Sequence, residues 1–95
     1  MERVKLIPTA ARAAATRKRS VAQELDEILN SHLNDVNNYS DFWDGLTFDR
    51  FLNRYRERDH GFRDMTRSLR SQADELDRIA REKEEADSRM ERALS

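Results

Sequence analysis

The chain contains no cysteine, a single proline and only two glycines among its 95 residues. The first absence excludes a disulfide framework, a thiolate metal site and a cysteine nucleophile. So few glycines and prolines cannot supply the tight turns of a multi-stranded sheet, which removes all-β and doubly wound folds. Long hydrophobic runs are missing too. No stretch approaches the roughly 20 apolar residues that cross a bilayer, so no stable membrane insertion is expected. Nor do residues 1–20 hold the apolar core of a cleavable signal peptide, because Arg12 interrupts the alanines. At this length one small domain is the ceiling.

What the chain has in abundance is charge of both signs. Lys and Arg number 18 and Asp and Glu 19, so 39% of residues are charged while the net value is only -1. With 37% hydrophobic residues and a mean hydropathy of -1.01, little apolar surface is available to offset chain entropy. Such a composition folds only if its apolar residues are gathered into stripes on long helices.

Their spacing has that form. Ala15, Ala22, Ile28 or Leu29, Val36 and Trp43 recur at heptad intervals, accompanied by Ala11, Leu25 and Tyr39, with Leu33 alongside. Lys18 and His32 are polar breaks in this stripe. The pattern predicts a first helix over about residues 9–41, with Pro8 in the first turn and Thr9 a better start than Ile7. The second segment is more regular. Phe48, Tyr55, Phe62, Leu69, Leu76, Lys83 and Met90 are spaced by seven, and Phe51, Arg58, Met65, Gln72, Ile79, Ala86 and Ala93 follow three residues after each. Eleven of these 14 positions are apolar or aromatic, and Leu52, Ala73 and Ala80 flank them, the 3.5-residue period of a supercoiled seam. A second helix over about 47–93 follows, with Thr47 as N-cap and Asp49 in its first turn. Gly61 inside it costs about 1 kcal/mol relative to alanine.

Two helices joined by a turn at residues 42–46 must fold back antiparallel. At 1.5 Å per residue they measure roughly 50 and 70 Å, so the hairpin is lopsided, and the overhang carries Ala86, Met90 and Leu94. A second hairpin is the natural cover. The expected architecture is therefore all-α: an antiparallel helix-turn-helix hairpin dimerising into a four-helix bundle. Contacts are expected from Leu25, Leu29, Val36, Phe48, Phe51, Leu52, Tyr55, Phe62, Met65, Leu69, Leu76 and Ile79. At the turn, Trp43 ends the first apolar stripe and can wedge between the helices, while Gly45 supplies a backbone conformation that a Cβ would resist. Phe42, Leu46, Phe48 and Phe51 are expected to form an aromatic plug around it.

Trp43-Asp44-Gly45, placed centrally between two amphipathic helices of a 95-residue chain, resembles the signature of the WXG family of hundred-residue helical hairpins, small substrates of type VII secretion. Val4-Lys5-Leu6-Ile7-Pro8 resembles that family's short lead-in, and Leu46-Thr47-Phe48-Asp49-Arg50-Phe51 is similar to the stretch after its turn. The resemblance spans essentially the whole chain. It implies a homodimer by default, or a heterodimer with another WXG-like chain, exported folded by the ATPase of a membrane machine. A larger secreted toxin is a further partner it allows. It implies no catalysis and no cofactor, and a cytoplasmic chain that becomes extracellular without a cleaved leader. One departure stands out. Many family systems carry Tyr-x-x-x-Asp/Glu near the C-terminus, but residues 78–95 hold no tyrosine. Tyr55-Arg56-Glu57-Arg58-Asp59 matches the string, yet within the helix it reads as a packed tyrosine beside a surface acid.

Remaining features suit a solvated helix surface. Arginines from Arg50 to Arg70 make the first half of the second helix basic, and acids from Asp74 to Glu91 make the rest acidic. A nucleic-acid-binding hairpin is one reading of the basic half. Interspersed carboxylates favour intrahelical pairs instead, such as Asp74–Arg78, Asp77–Arg81 and Glu85–Arg89. An antiparallel partner setting basic half against acidic half is a third reading. His32 and His60 sit on different helices without metal-ligand spacing, and the serines lack a nucleophile elbow. The alternative to export is a cytoplasmic coiled-coil adaptor whose stripes dock a target helix.

Overall fold

The computed structural model describes residues 5–95. Helix α1 spans Pro8–Asn38, a 3-10 turn follows at Tyr39–Asp41, and helix α2 spans Leu46–Leu94. The two helices pack antiparallel in a rod of 75 × 25 × 16 Å. Of the lead-in, Val4 lies outside the described residues, and residues 5–7 carry no regular structure.

Helix starts differ from the sequence expectation in an instructive way. Helix α1 begins at Pro8 rather than Thr9, with extended Ile7 as a cap that makes no side-chain hydrogen bond. Proline fixes φ near its helical value and has no N–H to satisfy, so the first turn needs no capping side chain. The Ala11 N–H donates to the Ile7 carbonyl at 3.0 Å and closes that turn. Helix α2 begins at Leu46, capped by Gly45, so Thr47 lies inside the helix and is not its N-cap.

The seam between the helices is built largely from small residues. On α1 it holds Ala11, Ala15, Ala22, Leu29 and Val36, all buried. On α2 the buried residues are Thr66, Ala73 and Ala80. Alanines with no exposed surface let the helix backbones approach closely, and the larger Leu29 and Val36 are buried nearer the turn. Burying those two contributes about 1.5–3 kcal/mol each. The Thr66 hydroxyl, which would be costly to bury unpaired, donates to the Arg63 carbonyl at 2.8 Å.

One edge of this seam is polar. Arg12 pairs with Glu84, and Arg19 reaches Asp74 and Asp77, each at 2.7 Å. Arg70 meets Asp26 at 2.7 Å, and Arg63 donates to the Asn30 side-chain oxygen at 3.0 Å. These rungs cross from helix to helix, which corrects the expected intrahelical pairs. Asp74 and Asp77 are drawn to Arg19, and Arg78 instead pairs with Glu75 and with Glu82. Glu85 and Arg89 form no ion pair among the described residues. Facing positions across an antiparallel seam are as close as neighbouring turns of one helix, so the nearest opposite charge wins regardless of sequence distance.

Candidate functional site: the aromatic tip and an uncovered face

At the hairpin tip Gly45 adopts φ 87° and ψ -168°, a region essentially reserved for glycine. Trp43 packs against Phe48 at 5.4 Å and Phe51 at 5.2 Å between ring centroids. Its indole N–H donates to the Thr47 hydroxyl oxygen at 3.0 Å. That bond ties Trp43, two residues before the glycine, to the first turn of α2. The sequence pattern points to Thr47 as a cap and does not itself show this bond; the four-residue spacing across the turn is its available signal. The expected plug is only partly present. Phe48 and Phe51 join Trp43, but Phe42 is 74% exposed and Leu46 also faces solvent. Tyr39 takes the inner place, between Phe42 and Phe51.

Below the tip, the long apolar stripes of α2 divide. The true seam positions run through Leu52, Asp59, Thr66, Ala73 and Ala80, the flank of the sequence pattern. Leu52 is half-buried at the tip end of that line, and Phe48, Phe51, Tyr55, Leu69, Leu76 and Ile79 are half-buried along its edge, as is Leu25 on α1. Phe62 and Met65, expected in the contact, remain 46% and 53% exposed, and Val21 and Ile28 of α1 are exposed beside them. Val21 and Leu69 line one shallow groove with Ala14, Arg17 and Lys18. Ile28 lines another with His32 and Asp35. The hairpin thus has a polar side, laced by the helix-to-helix ion pairs, and an apolar side that no other segment covers among the described residues.

Within the apolar side lies a cleft of about 210 Å³ lined by Leu29, His32, Tyr55, Arg58, Asp59 and Phe62. Asp59 is not the surface acid expected: its side chain is 14% exposed, and one oxygen accepts from Arg63 Nε at 2.7 Å. Its other oxygen, Oδ1, and the Tyr55 hydroxyl are both buried without a hydrogen-bond partner. His32 meets the Tyr55 ring edge-on at 5.2 Å. Burial, aided by the charge of Asp59, raises the Tyr55 phenol above its usual pKa. Among the described residues no group of three His, Cys, Asp or Glu is placed to hold a metal, and no helix is long and apolar enough to cross a membrane.

A lopsided two-helix hairpin, closed by an aromatic Trp-x-Gly tip and bare along one apolar side, defines a class of small helix-pairing proteins. A family model described as "Proteins of 100 residues with WXG" matches residues 3–88, and the chain belongs to this WXG100 family. Among solved structures, EsxA of Geobacillus thermodenitrificans superposes with a TM-score of 0.78 at 19% identity, covering 93% of this chain and 96% of its own. A secreted protein of Bacillus anthracis, EsxB, gives 0.80 at 22% identity, covering 92% and 99%. These likenesses establish a shared fold. No curated protein matches by sequence.

Proposed function

We propose that this chain is a non-enzymatic substrate or secretion partner of a type VII secretion system, working through helix-to-helix contact. The observation that carries the proposal is the uncovered apolar side formed by Val21, Ile28, Phe62 and Met65, joined to a Trp-x-Gly tip. A second hairpin of the same kind covers that side and completes a four-helix bundle. The C-terminal end of α2, exposed at every residue from Arg81 onward, is the handle offered to the export ATPase or to a larger toxin. Membership in the WXG100 family and the secreted EsxB relative support export. A nucleic-acid reading is weakened because Arg63, Arg67 and Arg70 are engaged by Asp59, Asp64 and Asp26.

Culture fractionation tests the proposal. The chain is expected in the medium of cells with an intact type VII ATPase and only in the cytoplasm without it. Deleting residues 82–95 is expected to abolish export while leaving the hairpin helical. A chain retained inside cells whose machine exports other substrates would overturn the proposal in favour of a cytoplasmic adaptor.

A further inference from the structure

Charge along the two helices is segregated in blocks that the hairpin sets against each other. Through Ala22, α1 carries Arg12, Arg17, Lys18 and Arg19 and no acid. From Gln23 to Asn38 it carries Glu24, Asp26, Glu27 and Asp35 and no lysine or arginine. Helix α2 repeats the order, with seven arginines against four acids up to Arg70, then eight acids against five cations beyond it. Folding back antiparallel lays the basic start of α1 on the acidic end of α2, and the acidic end of α1 on its basic start. The rungs are where these blocks touch. Arg12 meets Glu84, Arg19 meets Asp74 and Asp77, Lys18 donates to the Gln72 side-chain oxygen at 2.9 Å, and Asp26 meets Arg70.

The apolar packing behind the rungs is unequal. Toward the turn, Leu29 and Val36 are buried and the Trp43–Phe48–Phe51 cluster closes the end where the chain itself joins the helices. In the other half, up to Ala22 on α1 and beyond Thr66 on α2, the buried side chains are alanines alone: Ala11, Ala15, Ala22, Ala73 and Ala80. Leu69, Leu76 and Ile79 are only half-buried at its edge. A buried methyl removes far less apolar area from water than a leucine or an aromatic ring. Ion pairs therefore carry a larger share of the attraction here, and being open to solvent they are screened by dissolved salt. Once lifted away, residues 8–22 are at the length where an isolated helix is marginal in water, so separation and loss of helix go together.

We propose that the half of the hairpin remote from the turn is an electrostatic clasp: residues 8–22 of α1 open from residues 73–84 of α2 as a local unit governed by ionic strength, while the tip half stays closed. Opening releases a stretch with four cations and no acid, and bares a strip of alanines on each helix. Each exposed rung shifts such an opening equilibrium by about two- to fivefold, so the three through Arg12 and Arg19 together shift it by roughly tenfold or more. The opposed blocks belong to one chain, so the device works without a partner.

Hydrogen exchange followed by mass spectrometry on the full chain tests this. Between about 0.1 M and about 1 M sodium chloride the screening length falls from about 10 Å to about 3 Å. Amides of residues 10–22 should then exchange roughly tenfold faster, and those of residues 48–66 should change by less than about twofold. Arg19→Glu should produce the same acceleration at low salt, and adding Asp74→Arg with Asp77→Arg should restore protection by reversing the rung. Equal acceleration of both halves would make the hairpin a single cooperative unit and overturn the inference. So would protection of residues 10–22 that follows protein concentration and ignores salt, because a partner rather than the clasp would then hold them. Failure of the reversed rung to restore protection in a chain whose residues 48–66 remain protected would overturn it as well.

Discussion

The two glycines should respond to alanine with opposite signs. Gly45 sits at φ 87° and ψ -168°, and a Cβ added there meets nothing within 4 Å. The whole penalty of Gly45→Ala is therefore backbone strain, about 1–3 kcal/mol for a residue forced into this region. Gly61 lies in the middle of α2, and its added Cβ also meets open space. There the gain is helical propensity and a less flexible unfolded chain, about 0.5–1 kcal/mol in favour of Gly61→Ala. At roughly 4–8 °C per kcal/mol for a chain of this size, Gly45→Ala lowers the melting midpoint by about 5–20 °C. Gly61→Ala raises it by about 2–8 °C. Circular dichroism at 222 nm reads both, at one fixed protein concentration because association shifts the midpoint. Asparagine tolerates left-handed helical backbone but not ψ near -168°, so Gly45→Asn should fare no better than alanine. If Gly45→Ala left the midpoint unchanged, the turn would have other ways to close and the tip geometry would not be what fixes the hairpin. Destabilisation by Gly61→Ala would instead mean that a partner helix occupies the space left open there.

Trp43→Phe and Thr47→Val should each cost about 0.5–1.5 kcal/mol by removing one hydrogen bond, and the double variant little more, which urea unfolding can resolve. Ala73→Leu forces bulk into a fully buried seam position and should cost about 1–3 kcal/mol, again by urea unfolding. Hydrogen bonds from Arg70, Arg67 and Arg78 hold Asp26, Asp64 and Glu75 below their ordinary pKa values. The folded chain therefore binds fewer protons than the unfolded one in that range. The stability they supply is present above the usual carboxylate range and lost as pH falls through the lowered values. Asp26→Asn should flatten part of that acid dependence in unfolding curves taken from pH 7 downward, and an unaltered slope would refute the assignment.

Helix identity, the reversal and the aromatic tip were legible because each has a local cause. Apolar residues at three- and four-residue steps specify a helix, and Gly45 between two such runs specifies a bend. The division of α2 was not legible. A 3.5-residue repeat marks a stripe wide enough for two contacts, and size alone does not say which edge turns inward. Phe62 and Met65 looked like core because they are large, yet the seam selected Thr66, Ala73 and Ala80 because close helices leave little room. Thr47 was misplaced because capping is a local preference, whereas its actual partner is an indole brought round by the turn.

The sequence by itself determined that this chain is two amphipathic helices folded back at Trp43–Gly45, with more apolar surface than one hairpin can hide. Periodicity, turn chemistry and length are properties of neighbouring residues, so they need no knowledge of the other helix. Only the tertiary structure decided which residues meet: Arg19 with Asp74 and Asp77, Trp43 with Thr47, and the outward turn of Phe62, Met65 and Ile28. Those pairings depend on the rotation and axial offset of one helix against the other. Both are set by the collective fit of all the small residues in the seam rather than by any segment alone.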